Sequence, residues 1–247
     1  MKNLRKIVGL LLLAASVGVL SYSLYTVVGQ QLAARALERE YAALAALAQA
    51  EKDAENSSVY RSPVDFTALR EINPDIVGWI QIEGTYIDYP ILQCADNETY
   101  LHITFSGEPN PAGAIFLDYR SAADFSDPNT LIHGHNIKNA AMFALLPEYK
   151  AQAFYEEHPA VLLYTPEAGY RCEIFAAYVT AMNDLTYSIY FPKEGSFSRY
   201  LEYIRGRSLI QSGVAVQDTD RIIMLSTCDY QFEDARMVVY AKMVKIE

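Results

Sequence analysis

The amino-acid sequence indicates a mostly β domain of the α+β class, a barrel or sandwich of short strands that follows one transmembrane helix. The first observation is that the body of the chain alternates short apolar runs with turn residues and carries only a few helical segments. The second is an uncharged apolar run at residues 7–28. A doubly wound sheet would need regular alternation of strands and helices, and the sequence lacks that pattern.

The uncharged run at 7–28 is predicted to be a membrane anchor. At about 1.5 Å per residue it would be about 33 Å long as a helix, enough to cross the hydrocarbon core. Lys2, Arg5 and Lys6 precede it, so the positive-inside rule places residues 1–6 in the cytoplasm and the bulk of the chain outside the cell. A cleaved signal peptide is the alternative, but its apolar region is usually shorter and no clean A-x-A site closes this one.

An Ala-rich stretch follows the anchor, and residues 29–60 are predicted to form a helical stalk. Leucines recur there at near-helical spacing: Leu32, Leu37, Leu44 and Leu47. The polar run at 56–58 marks a boundary. The remaining residues, 61–247, are enough for one domain with a sizeable core.

The charge distribution excludes a nucleic-acid partner. The chain has a net charge of −10. Residues 1–60 carry six Lys or Arg and five Asp or Glu, a net +1, so the domain carries −11. A nucleic-acid-binding protein needs a basic surface to neutralise phosphates.

Eight strands and three helices are predicted within the domain. The strands are expected at 77–82, 86–92, 114–117, 130–132, 161–164, 172–179, 221–227 and 236–246, and the first two form a hairpin. The helices are expected at 141–146, 152–157 and 196–207. The last of these is amphipathic, with Ser196 as its candidate cap. The Asn73-Pro74 step is a turn or a helix stop.

The three cysteines leave at least one free thiol. Cys94 and Cys172 lack catalytic-looking neighbours in the sequence and are interpreted as small buried apolar residues, with a disulfide between them left open. Cys228 differs because it ends a predicted strand, where a substrate can reach it.

The residues around Cys228 suggest cysteine-based acyl transfer. His135 follows another predicted strand and is a candidate proton-transfer partner, while Arg236 opens the last strand and is a candidate oxyanion donor. His133 and His135 would share one face of a strand and suggest zinc, but no fourth ligand has suitable spacing. No metal and no other cofactor is therefore predicted.

These motifs resemble those of the sortases, membrane-anchored cysteine transpeptidases of Gram-positive cell surfaces. The strand end Met224-Leu225-Ser226-Thr227-Cys228, the downstream Arg236 and the upstream Gly134-His135-Asn136 carry the resemblance. Segments 73–80, 87–91, 114–120 and 127–132 are similar to class B members in particular, so the likeness spans about 72–246. It implies a closed barrel of about eight strands, with N-terminal helices and a helix inserted between two late strands.

The resemblance also implies roles for individual residues. Cys228 matches the nucleophile, His135 the acid–base and Arg236 the arginine that stabilises the oxyanion or orients the substrate. The residues expected to line the peptide groove are Ser226, Thr227, Asn97, Tyr187 and His133. The chain departs from the class B pattern at His133, where many members have Tyr, and in a short segment between Cys228 and Arg236.

The implied reaction cleaves a C-terminal sorting motif of a secreted surface protein through a thioacyl-enzyme. It then joins that protein to an amine of a peptidoglycan precursor or cross-bridge. The expected partners are thus a sorting-motif peptide, that amine and the membrane. The alternatives are a pilin-polymerising sortase, a hydrolytic cysteine peptidase and a non-catalytic binding module.

Overall fold

The structure is a computed structural model that describes residues 2–48, 60–137, 141–182 and 184–246. The chain divides after Ala43 into two compact units. Helix α1 (Lys2–Ala48) begins the first unit and runs without interruption through the predicted anchor into the predicted stalk. Within the described residues, one helical segment is long and apolar enough to cross a membrane, judged by length and composition: Lys6–Ala48, which is part of α1. The predicted end of the stalk falls on 49–59, outside the described residues.

The second unit is built on a closed eight-stranded barrel, which confirms the predicted fold class. The strands are β1 (Ile76–Gln81), β2 (Asp88–Leu92), β3 (Ile115–Leu117), β4 (Asn129–His133), β5 (Asn136–Ile137), β6 (Ala141–Met142), β7 (Ala160–Tyr164), β8 (Gly169–Ala181), β9 (Ile222–Cys228) and β10 (Ala235–Ile246). The barrel order is β1-β2-β3-β4-β9-β10-β8-β7, and β5 with β6 forms a separate two-stranded sheet.

Two parallel pairings set the arrangement of the barrel. Strand β2 runs parallel to β3, and β4 runs parallel to β9, whereas the other barrel pairs are antiparallel. Strand β9 is buried along its whole length up to Thr227. Its nearly continuous apolar sequence suits a strand that is covered on both faces.

Helix α4 (Ser196–Arg207) is inserted between β8 and β9, with the bounds that the sequence predicts. Its apolar residues pack into a core with side chains of β8, β9 and β10: Phe197, Tyr200, Leu201 and Ile204. The predicted Ser196 cap is wrong. The N-cap is Gly195, at a positive φ of 67° that favours glycine, and the Ser196 hydroxyl donates to the Lys193 carbonyl instead.

The other helices are short. Helix α2 (Phe66–Ile72) is capped by the Asp65 carboxylate and ends just before Asn73-Pro74, as predicted. Helix α3 (Gln152–Glu157) also agrees with the prediction.

The predicted helix at 141–146 is wrong. Ala141 and Met142 instead form β6, which pairs with β5, and Met142 has a positive φ of 53° that a helix does not tolerate. The helical turn begins only at Leu146–Lys150, a 3₁₀ helix with a proline in its first turn. Proline is favoured at that position because the first N–H groups of a helix lack internal partners.

All three cysteines are free thiols, so the Cys94–Cys172 disulfide is absent. Cys172 is fully buried in β8, and burial raises its pKa, which keeps the thiol neutral and unreactive. Cys94 is only half-buried, contrary to the expectation of a core residue, and its thiol donates to the Asp96 carbonyl at 3.4 Å.

Candidate functional site

The parallel pair β4–β9 brings the predicted cysteine and histidine to one end of the barrel. His133 is paired with Ser226, the Gly134 N–H donates to the Ser226 carbonyl at 3.1 Å, and the Thr227 hydroxyl donates to the Gly134 carbonyl at 2.7 Å. Cys228 is the last residue of β9, and His135 follows β4 by two residues. The strand register therefore places the two residues at neighbouring strand ends.

Asn136 makes a hydrogen bond to the backbone of Cys228, a role that the sequence did not predict. Its side-chain amide donates to the Cys228 carbonyl at 2.9 Å, and the Tyr230 hydroxyl donates to the Asn136 carbonyl at 3.2 Å. The residue after the histidine thus clamps the backbone of the cysteine. Its place in the Gly-His-Asn motif is the signal that could have identified it.

The hydrogen bond of the His135 ring fixes its tautomer. Its Nε2 lies 2.9 Å from the Leu101 carbonyl, and because a carbonyl only accepts, Nε2 must carry the proton. The other nitrogen, Nδ1, is then the one available for proton exchange. Leu101 belongs to a 3₁₀ helix, Thr99–Leu101, 34 residues away in sequence.

Arg236 lies directly across the sheet from Cys228, as its register partner in the β9–β10 pair. Its guanidinium donates through Nη1 to the Ala235 carbonyl at 3.0 Å and through Nη2 to the Met182 sulfur at 3.4 Å. A guanidinium has five N–H donors, so others remain for a ligand beside Cys228.

Tyr187 forms a wall beside this strand end. Its hydroxyl lies 2.9 Å from the Ser226 hydroxyl, and its ring stacks on His133 with centroids 6.4 Å apart. Burial raises the pKa of Tyr187, and the hydrogen bond with Ser226 and the charge of Arg236 offset this only in part. Three predicted groove residues, Ser226, Tyr187 and His133, are therefore brought together.

Thr227 is placed differently from the other predicted groove residues. It is 2% exposed, and its hydroxyl is used in the bond to Gly134. Thr227 therefore links the ends of β4 and β9 through a buried hydrogen bond and does not line the groove.

Asn97 and His133 converge on Asp118, a carboxylate that the sequence analysis did not select. The Asn97 amide donates to Oδ2 at 3.0 Å, the His133 Nε2 lies 3.1 Å from the same oxygen, and the Arg120 Nε lies 2.8 Å from Oδ1. Burial raises the pKa of Asp118, but hydrogen bonds from Arg120 and His133 lower it by more and hold it well below its ordinary value. Within the described ranges, no cluster of three or more His, Cys, Asp or Glu is arranged to hold a metal ion.

Asp118→Asn is expected to destabilise the domain by about 1–3 kcal/mol at neutral pH, because it removes the charge that its partners stabilise. The folded-state pKa lies below the unfolded one, so this contribution is present above about pH 4 and is lost as the pH falls. Urea unfolding of both proteins at several pH values measures it. The exposed Asp124→Asn is the control, and an equal loss in both variants would contradict the role of Asp118.

Gly134→Ala is expected to destabilise the domain by about 1–3 kcal/mol through overpacking. A Cβ at Gly134 would lie 2.4 Å from Ile115 Cδ1 and 2.8 Å from Phe143 Cδ2. Gly206→Ala in α4 is the matched control, since its Cβ would meet nothing within 4 Å and alanine favours a helix. Thermal unfolding compares the two variants, and similar melting temperatures would show that the end of β4 accommodates a methyl group without overpacking.

Comparison with known proteins gives consistent matches. The family model described as Sortase domain matches residues 80–244. Sortase B of Listeria monocytogenes is 43% identical over 178 residues, which cover 71% of this chain and 72% of the relative. Sortase B of Staphylococcus aureus is 36% identical over 183 residues, which cover 73% of this chain and 75% of the relative.

Solved structures agree with these matches. A Staphylococcus aureus sortase B-substrate complex has a TM-score of 0.70 at 35% identity, covering 74% of this chain and 85% of that one. The structure of sortase B from B. anthracis has a TM-score of 0.75 at 34% identity, covering 85% and 97%.

Proposed function

The chain belongs to the sortase family as a class B-type cysteine transpeptidase, and we propose that Cys228, His135 and Arg236 are its nucleophile, acid–base and oxyanion-stabilising residue. The observation that carries this assignment is their convergence on one end of the barrel. Arg236 is the register partner of Cys228, and the side chain of Asn136, the residue after His135, donates to the Cys228 carbonyl.

The first half of the reaction is acylation. The Cys228 thiolate attacks the carbonyl carbon of the threonine in the sorting motif, and a C–S bond forms as the carbonyl oxygen becomes an oxyanion. Arg236 donates to that oxyanion. The backbone N–H of Asp229 is already bonded to the Ala235 carbonyl at 2.8 Å, which leaves the guanidinium as the principal donor. His135, as an imidazolium, gives its Nδ1 proton to the leaving amine as the C–N bond breaks, which leaves a neutral imidazole and a thioacyl-enzyme.

The second half is aminolysis. An incoming amine attacks the thioester, neutral His135 takes a proton from it, and the C–S bond breaks to restore Cys228. The product is an amide that joins the surface protein to its acceptor. We propose an amine of a peptidoglycan precursor or cross-bridge as this acceptor, because the class B resemblance implies wall anchoring, with a pilin lysine as the alternative.

The groove beside Cys228 receives the peptide substrate. We propose that Tyr187, Ser226, His133 and Asn97 line it, in support of which the first three are in mutual contact at the strand end. A relative of this chain has been solved as a complex with its substrate. Thr227 contributes by holding the strands in register.

The membrane anchor is proposed to hold the catalytic domain at the outer face of the cell membrane. In this arrangement residues 1–6 are cytoplasmic, 7–28 span the bilayer, 29–60 form the stalk and 61–247 are the catalytic domain. The uncharged run of α1 and the basic residues before it support this orientation. Confinement to the membrane surface would raise the effective concentration of an anchored substrate and a lipid-linked acceptor.

Product analysis with and without an amine acceptor tests this function. A peptide that carries a threonine-containing sorting motif is incubated with the enzyme in three mixtures. The first has no added amine, the second contains a peptide with a free α-amine, and the third contains a pilin-derived lysine peptide. Transpeptidation predicts an amide product and faster turnover when an amine is added. Acid product alone under all conditions would identify a hydrolytic peptidase, and preference for the lysine peptide would identify a pilin polymerase.

A further inference from the structure

Thr186 is a polar residue with no exposed surface, directly before Tyr187 in the wall beside Cys228. Three buried tyrosines surround it: Tyr178 on β8, Tyr200 on α4 and Tyr240 on β10. These elements are far apart in sequence, yet all three hydroxyl groups reach the same residue.

The donors and acceptors in this cluster can be assigned. The Tyr200 and Tyr240 hydroxyls donate to the Thr186 carbonyl at 2.5 and 3.0 Å. The Thr186 hydroxyl donates to the Asp184 carboxylate at 2.7 Å, so it must accept from the Tyr178 hydroxyl, which lies 2.9 Å away. Each tyrosine has one hydroxyl proton, and in this arrangement all three are directed to Thr186. The Tyr240 hydroxyl also lies 3.1 Å from that of Tyr200 and 3.5 Å from that of Tyr178.

The cluster stays in this state across the physiological pH range. Burial raises the pKa of Tyr178 to about 12 and raises those of Tyr200 and Tyr240 as well. The three hydroxyls are thus neutral donors. Burial raises the pKa of Asp184, but hydrogen bonds from Tyr203 and Thr186 outweigh it and hold that pKa below its ordinary value, which keeps the acceptor ionised.

The segment around Thr186 is held at both ends. Asp184 accepts from the Thr186 N–H at 2.9 Å and from the Tyr203 hydroxyl of α4. On the other side, the Asn129 amide donates to the Ser188 carbonyl at 2.9 Å. Tyr187 lies between these anchors, and its hydroxyl meets Ser226, two residues before Cys228.

We propose that Thr186 is a positioning residue for the peptide groove, and that the three tyrosine hydroxyls fix the wall that Tyr187 presents to the sorting peptide. The inference rests on the proposed function. The proposal gives helix α4 a role, because its Tyr200 and Tyr203 hydroxyls bond Thr186 and Asp184, the residues that hold Tyr187 in place. A fixed wall binds its ligand without the cost of ordering a loop, so the effect should fall on peptide affinity.

The test compares steady-state cleavage of the sorting peptide by wild type, the double variant Y200F/Y240F and the pair Thr186→Val and Thr186→Ser. The double variant keeps both rings and removes both donors to the Thr186 carbonyl. Valine removes the hydroxyl while preserving shape, and serine restores it. Tyr170→Phe is the matched control, because that hydroxyl bonds Arg221 away from the wall. Alkylation of Cys228 by iodoacetamide is measured in every variant.

We expect KM to rise about 5- to 10-fold in Y200F/Y240F and in Thr186→Val, the size of a lost hydrogen bond, with kcat and the alkylation rate nearly unchanged. Thr186→Ser and Tyr170→Phe should match wild type. The inference would be overturned if KM were unchanged in Y200F/Y240F and Thr186→Val, or if KM, kcat and the alkylation rate were all impaired to the same degree. In either case, cleavage by the wild type would still uphold the proposed function. A wild-type enzyme that cleaves no sorting peptide would overturn both.

Discussion

Replacing Cys228 with alanine is expected to reduce transpeptidation by on the order of 10⁴-fold or more, because covalent catalysis has no substitute for its nucleophile. The folded structure should survive. Cys228 is half-buried at the end of β9, and the bonds that hold this strand end involve backbone groups and the Asn136 and Thr227 side chains. Peptide binding should therefore persist while turnover stops.

Cys94→Ala is the matched control for this variant. Cys94 is also a free, half-buried thiol, so a general requirement for a surface thiol would affect both variants. Amide product formation, thermal unfolding and equilibrium peptide binding are measured for each. If Cys228→Ala left the surface display of substrate proteins unchanged in cells, the domain would be a binding module that retains the fold.

Local patterns explain which elements the sequence predicts correctly. Helix α4 is bounded correctly because its four buried residues repeat with helical period, whereas its cap is missed because Gly195, and not Ser196, takes that position. Strand β9 is found because an apolar run ends at a polar Ser-Thr-Cys. The segment at 141–146 fails because its conformation depends on pairing with β5 and on the positive φ of Met142, which periodicity does not encode.

The site shows the same division between local and non-local information. Cys228, His135 and Arg236 stand in recognisable motifs, and the register of β4, β9 and β10 brings them to one end of the barrel. The residues that hold these side chains in place are not predictable from local sequence, because their bonding partners lie far away along the chain. Leu101 contributes only a backbone carbonyl, and Asp118 receives side chains from both directions along the chain.

Replacing His135 is expected to lower kcat for transpeptidation by about 10²- to 10⁴-fold, the usual contribution of a general acid–base. Two variants separate proton transfer from positioning. His135→Ala removes the ring, whereas His135→Gln keeps an amide N–H for the Leu101 carbonyl but has no group that titrates. Both should be slow if proton exchange through Nδ1 is what matters, and only the alanine variant should be slow if the bond to Leu101 is enough.

The pH dependence of Cys228 alkylation then tests whether the imidazole acts on the thiol. If the imidazole exchanges a proton with the thiol, the profile of both variants should differ from that of wild type. His102→Ala is the control, since His102 is exposed and lies in the turn next to Leu101. A profile that the His135 variants leave unchanged would remove His135 as the partner of Cys228. The thiolate would then depend on Arg236, which is the register partner of Cys228.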